Sequence, residues 1–84
     1  MSYIVQIDRS AQKQLAKISQ PFQTVIKEKL LALENDPRPP GCKKLKGQDG
    51  WRIRVADYRI IYKIYDNVLE IIIIDIDNRK QIYK

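Results

Sequence analysis

No histidine occurs among the 84 residues. No imidazole can therefore act as acid, base or metal ligand, and Ser-His or Cys-His nucleophile pairs are excluded. The single cysteine, Cys42, rules out an intramolecular disulfide and a Cys-rich metal site. The three glycines form neither a phosphate-cradling loop nor a dinucleotide fingerprint. The longest aliphatic stretch, IIIIDI at 71–76, is far too short to cross a bilayer. The N-terminal MSYIVQIDRS lacks the basic start and apolar run of a secretion signal. What survives these exclusions is one soluble, cytoplasmic domain over residues 1–84, with no metal or cofactor motif.

What the chain has in abundance is positive charge, unevenly placed. The formal charge is +6, and residues 41–63 carry most of it. That segment holds Lys43, Lys44, Lys46, Arg52, Arg54, Arg59 and Lys63 against only Asp49 and Asp57, a net +5. A patch of this density is the footprint of a polyanionic partner, although a solvated basic surface has the same composition.

Periodicity supplies the elements. YIVQI at 3–7 alternates and predicts a strand. DRSAQKQLAKIS switches to a helical period, with Ala11, Leu15 and Ile18 on one face and Asp8 or Ser10 able to cap its start. SQPFQTVIKEKLLALEND predicts a second helix, with Pro21 in its first turn and an apolar stripe of Phe22, Val25, Ile26, Leu30 and Leu33. Two short helices so close in sequence are expected to form an αα-hairpin. NDPRPPG stops the second helix and continues as a stiff connection. CKKLKG then reads as an edge strand or loop, followed by three strands. The predicted class is α+β: a β-α-α-β-β-β order with the helical hairpin on one face of a mainly antiparallel sheet.

The stretch GWRIRVADYRIIYKIY at 50–65 permits a register. A turn at Ala56 and Asp57 pairs residues whose numbers sum to 113, so that Trp51 faces Tyr62, Ile53 faces Ile60 and Val55 faces Tyr58 on the core side. Arg54 then faces Arg59 on the other side. A second turn at Asp66 and Asn67 places Lys63 opposite Glu70 and Ile60 opposite Ile73. The predicted core is Trp51, Ile53, Ile60, Tyr62, Ile71 and Ile73, touched by Phe22, Val25 and Leu30.

Like charges directly opposed on a sheet are unfavourable. Either the two guanidinium groups splay into water, or they form a two-pronged clamp for phosphate, a geometry for which arginine is better suited than lysine. Arg52 lies on the same face, with Lys44 or Lys46 nearby. The closing DIDNRKQIYK adds Arg79, Lys80 and Tyr83, the last able to stack on a base or edge-pack. Asp75 and Asp77 are expected to be charge partners of the arginines rather than metal ligands. A cationic face without titrating histidine suits the stabilisation of a five-coordinate phosphorane, as in RNA cleavage by the 2′-hydroxyl.

Along nearly its whole length the chain resembles the RelE/ParE superfamily of bacterial toxin–antitoxin systems. The KLKG block, WRIRVADYRIIY and the terminal NRKQIY carry the resemblance, and they look more like the RelE branch than ParE. The resemblance implies a ribosome-dependent mRNA endonuclease that acts in the A site without metal or small-molecule cofactor. It also implies a cognate antitoxin in a heteromeric complex. It assigns catalytic roles to Arg52, Arg54, Arg59, Arg79 and Tyr83, and RNA contacts to Lys43, Lys44, Lys46, Lys63 and Lys80. Many relatives have GHR where this chain has Asp77, Asn78 and Arg79, and some have lysines at the first two basic positions. Lys44, Lys46 and Tyr83 remain open as proton carriers. The alternatives are a ParE-like toxin that binds and poisons DNA gyrase without nuclease action, or a catalytically weak RNA-binding relative.

Overall fold

The computed structural model describes residues 2–78. A five-stranded sheet carries two helices on one face. In chain order the elements are β1 (Ile4–Ile7), α1 (Arg9–Ala16), α2 (Phe22–Ala32), β2 (Lys43–Lys44), β3 (Trp51–Val55), β4 (Tyr58–Tyr65) and β5 (Glu70–Asn78). The sheet order is β1-β5-β4-β3-β2; β1 runs parallel to β5 and the other neighbours are antiparallel. The helical hairpin on a mainly antiparallel sheet is therefore as expected, with CKKLKG contributing the two-residue edge strand.

Local chemistry explains each boundary. Asp8 caps α1 by accepting from the Ala11 N–H at 3.0 Å, as the sequence proposed. At α2, Pro21 occupies the cap position itself and has no side-chain oxygen to offer. Gln20 substitutes, its Oε1 accepting from the Thr24 N–H at 3.1 Å and the Thr24 hydroxyl at 2.7 Å. Ala11, Leu15 and Ile18, with Ile26 and Leu30 of α2 and Leu33 at its C-cap, pack onto Ile53, Val55, Ile60, Tyr62, Ile71, Ile73 and Ile76. Each fully buried isoleucine contributes about 1.5–3 kcal/mol of transfer free energy.

Three expectations are corrected. Trp51 is half-buried at the margin of the core and does not lie within it. Phe22 and Val25 remain 42% and 39% exposed, since α2 lies over β3, beside a β2 only two residues long. Phe22 instead meets the Tyr58 ring, centroids 6.3 Å apart.

The third correction concerns the β4–β5 register. The turn occupies residues 66–69, so Glu70 faces Tyr65 while Lys63 faces Ile72. That is a shift of two from the expected pairing, which leaves every side chain on its expected face. Opposite the Ile61/Tyr62 step, β5 then carries one extra residue, and beyond it Ile60 faces Ile76, where Ile73 was expected. This bulge inverts the alternation of the last residues of β5. Continuing the first register would set Asp75 opposite the buried Ile60 and Ile76 opposite Arg59. The bulge keeps Ile76 in the core and delivers Asp77 to Arg59.

Gln14 of α1 holds the bulge. Its Oε1 accepts from the Ile76 N–H and its Nε2 donates to Asp75, both at 2.8 Å. At the opposite end, Asp66 accepts from the Tyr3 hydroxyl and pairs with Arg38 at 2.9 Å. The Arg38 guanidinium in turn lies 4.9 Å over the Trp51 ring. Tyr62 closes the core beneath, donating to the Pro37 carbonyl at 2.8 Å.

Candidate phosphate-binding face

The face of the sheet opposite the helices carries the cations, because β3 and β4 alternate strictly. Ile53, Val55, Ile60 and Tyr62 turn inward, so Arg52, Arg54, Arg59, Ile61 and Lys63 turn outward. The 113 register holds at all five pairs, and Arg54 stands directly opposite Arg59. Asp77 faces Arg59 from the other side. Arg54, Arg59 and Asp77 thus form one row across three strands.

Charge in this row is incompletely neutralised. The only ion pair found for Arg59 among the described residues is to Asp77, with Nη2 to Oδ2 at 4.0 Å. That is attraction without hydrogen-bond contact. The Arg59 Nε is shielded from water and has no acceptor among the described residues. A donor held in this way is an exception that calls for an explanation. Asp75, expected to serve the arginines, is engaged by Gln14 instead.

The lysines divide. Lys43 is opposite Arg52, and a cleft of about 520 Å³ that reaches both faces of β3 is lined by Lys43, Arg52 and Arg54 together with Ile53, Val55 and residues of α2. Lys44 is opposite Trp51 and its ammonium lies 5.8 Å from the centre of that ring. Lys46 is exposed in the loop before Gly50, and Lys63 is half-buried beside Ile72. Lys29 and Asp36 also line the cleft, and the sequence reading passed over both. Lys29 falls outside the apolar stripe of α2, and its neighbours in the cleft come from a distant strand. Arg79, Lys80 and Tyr83 lie outside the described residues.

The arrangement is that of a small α+β protein with an arginine-rich sheet face, whose paired guanidinium groups are able to bind phosphate. No helix among the described residues is long and apolar enough to cross a membrane. The sequence profile described as the ParE toxin of the type II toxin–antitoxin system parDE matches residues 5–83. The chain is 25% identical over 89 aligned positions to the mRNA interferase toxin RelE of Escherichia coli K12, covering 96% of this chain and 87% of that protein. In structure it is similar to the archaeal RelE in the RelE–RelB complex of Pyrococcus horikoshii OT3. That match has a TM-score of 0.84 at 29% identity and covers 94% of this chain and 97% of that one. The toxin–antitoxin complex RelBE of E. coli gives 0.79 at 25% identity, over 92% and 96% of the two chains. The chain belongs to the ParE toxin family of type II toxin–antitoxin systems, within the RelE/ParE superfamily.

Proposed function

We propose that this toxin is an endoribonuclease of the RelE type, one that cuts mRNA in the ribosomal A site without metal and is silenced by a cognate antitoxin. The observation that carries the reading is the row of Arg54 against Arg59, with Arg52 beside it, on the sheet face opposite the one packed against α1 and α2. Two guanidinium groups fixed by strand pairing offer parallel N–H donors at a spacing set before substrate arrives. A phosphodiester bound there gains most when the 2′-oxygen attacks and negative charge builds on the equatorial oxygens, so the contacts favour the transition state. Arg79 and Tyr83 complete the set by resemblance, the tyrosine stacking on a nucleotide. Lys43, Lys46 and Lys63 extend the positive field along the message, and Lys44 contributes from the Trp51 side.

The E. coli relative named an mRNA interferase and the two RelE–RelB complexes support this reading. Alignment by the ribosome supplies what a compact site with no imidazole lacks. An antitoxin follows from charge: a net +5 segment left open in a cell full of RNA is costly, and a partly acidic partner segment neutralises it.

The matched family profile is the ParE one, which favours a second reading, gyrase poisoning without nuclease action. Inducible expression followed by primer extension on translated messages separates the two. Discrete cuts that survive EDTA and vanish in the Arg59→Ala, Arg79→Ala double variant are expected. Full toxicity of that double variant would overturn the nuclease reading in favour of target binding.

A further inference from the structure

Cleavage by a 2′-hydroxyl requires a group to take its proton, and a guanidinium, which has no acceptor lone pair to offer, is unsuited to that role. We infer that Asp77 is this proton acceptor, an inference that rests on the nuclease reading above. Asp77 is the third member of the row that begins with Arg54 and Arg59, so a phosphate on those two arginines places its ribose beside the carboxylate. Its oxygen stands 4.0 Å from the Arg59 Nη2, and among the described residues no hydrogen bond is made to that carboxylate.

This placement needs its own structural device. The extra residue in β5 reverses the alternation, and without it Ile76 would face Arg59. Gln14 meets the bulge with both ends of its amide, and in doing so holds Asp75 away from the arginines. Asp77 is left as the carboxylate opposite Arg59. Among the described residues the charged groups on the strands beside it are Arg59 on β4, Arg54 one strand further and Asp75 on its own strand, with Asn78 following it.

The O2′–H bond breaks and its proton passes to the Asp77 carboxylate while the O2′–P bond forms. The P–O5′ bond then breaks, a water protonates the departing 5′-oxygen, and the resulting hydroxide recovers the proton from Asp77. The products are a 2′,3′-cyclic phosphate and a 5′-hydroxyl, with no net consumption of water.

Single-turnover cleavage on programmed ribosomes between pH 6 and 8.5 tests the inference. If a carboxylate takes the proton the wild-type rate should vary little with pH over this range, whereas a lysine acceptor gives a rate climbing about tenfold per pH unit. Asp77→Asn should cut the rate by about 10²-fold or more and make it climb with pH as hydroxide takes over. Asp77→Glu should restore part of the rate and the flat profile, with ribosome binding equal in all three proteins. An Asp77→Asn rate within threefold of wild type overturns the inference. So does a slower rate that stays flat, which would make Asp77 a positioning residue for Arg59. If the wild-type protein cuts no message on the ribosome while remaining toxic, the nuclease reading fails first and this inference fails with it.

Discussion

Replacing Gln14 by leucine tests the architecture at the point where helix, bulge and site meet. The substitution keeps the side chain's bulk and removes both amide contacts, each 2.8 Å long and part-buried. One contact donates to a carboxylate and is of the stronger, charge-assisted kind; the other satisfies a strand N–H that would otherwise be orphaned. Together their loss should cost about 2–3 kcal/mol. For a domain of this size that lowers the melting temperature by roughly 10–20 °C. The damage should be local as well as global, with amide exchange at Ile76 accelerating more than at Ile71, which lies before the bulge. Gln14→Glu is the informative companion, since it retains an acceptor for the Ile76 N–H but opposes Asp75 with like charge. It should regain stability on mild acidification, and Gln14→Leu should not. Circular-dichroism melts and hydrogen exchange provide the assay. A Gln14→Leu protein within 0.5 kcal/mol of wild type would refute the claim that this residue holds the bulge.

Other outcomes follow from single positions. Ala56 at the β3–β4 turn has φ +54, so Ala56→Gly should relieve backbone strain and stabilise the hairpin by about 0.5–1 kcal/mol in a urea titration. The Arg38 guanidinium, and after it the Tyr3 hydroxyl, hold the Asp66 carboxyl below the usual carboxylate range. A folded value below the unfolded one means stability that is complete above about pH 4 and is lost as pH falls through the folded value. Asp66→Asn should flatten that acid limb in melts taken from pH 5 downward. Arg54→Lys should remain active in a growth-arrest assay, since it keeps the charge facing Arg59 and regains a group able to shed a proton. Complete loss of toxicity would show that the bidentate fork itself is indispensable.

The β3–β4 hairpin was legible because its alternation is clean and its turn short. Polar and apolar residues trade places at each step from Arg52 to Val55, so one register satisfies both faces. The β4–β5 pairing was not legible, for two physical reasons. Residues 71–74 are all isoleucine, so alternation carries no phase information where the strand is apolar on both faces. Leu69 also adopts φ +54 in the turn, a conformation its residue type does not advertise. The fate of Phe22 and Val25 was hidden similarly. Helical periodicity finds a stripe but not the width of the sheet beneath it, and here the sheet ends in a two-residue strand.

For the candidate site the same logic cuts differently. Placing Arg52, Arg54 and Arg59 on one face required only a period of two and one turn, both local properties. Placing Asp77 required knowing that β5 slips by one residue against β4, which depends on Gln14, more than sixty positions away in sequence. Local pattern therefore locates the groups proposed to bind a phosphate, and tertiary contacts locate the group proposed to move a proton. The two kinds of residue should also respond differently to mutation at a distance. Disturbing α1 through Gln14 should displace Asp77 while leaving the Arg54–Arg59 pair in place, since that pair is set within a single hairpin. A protein so altered should still grip RNA and still meet its antitoxin, while losing rate. An altered helix that weakens binding and rate in equal measure would mean that the arginine pair, too, depends on the helical layer.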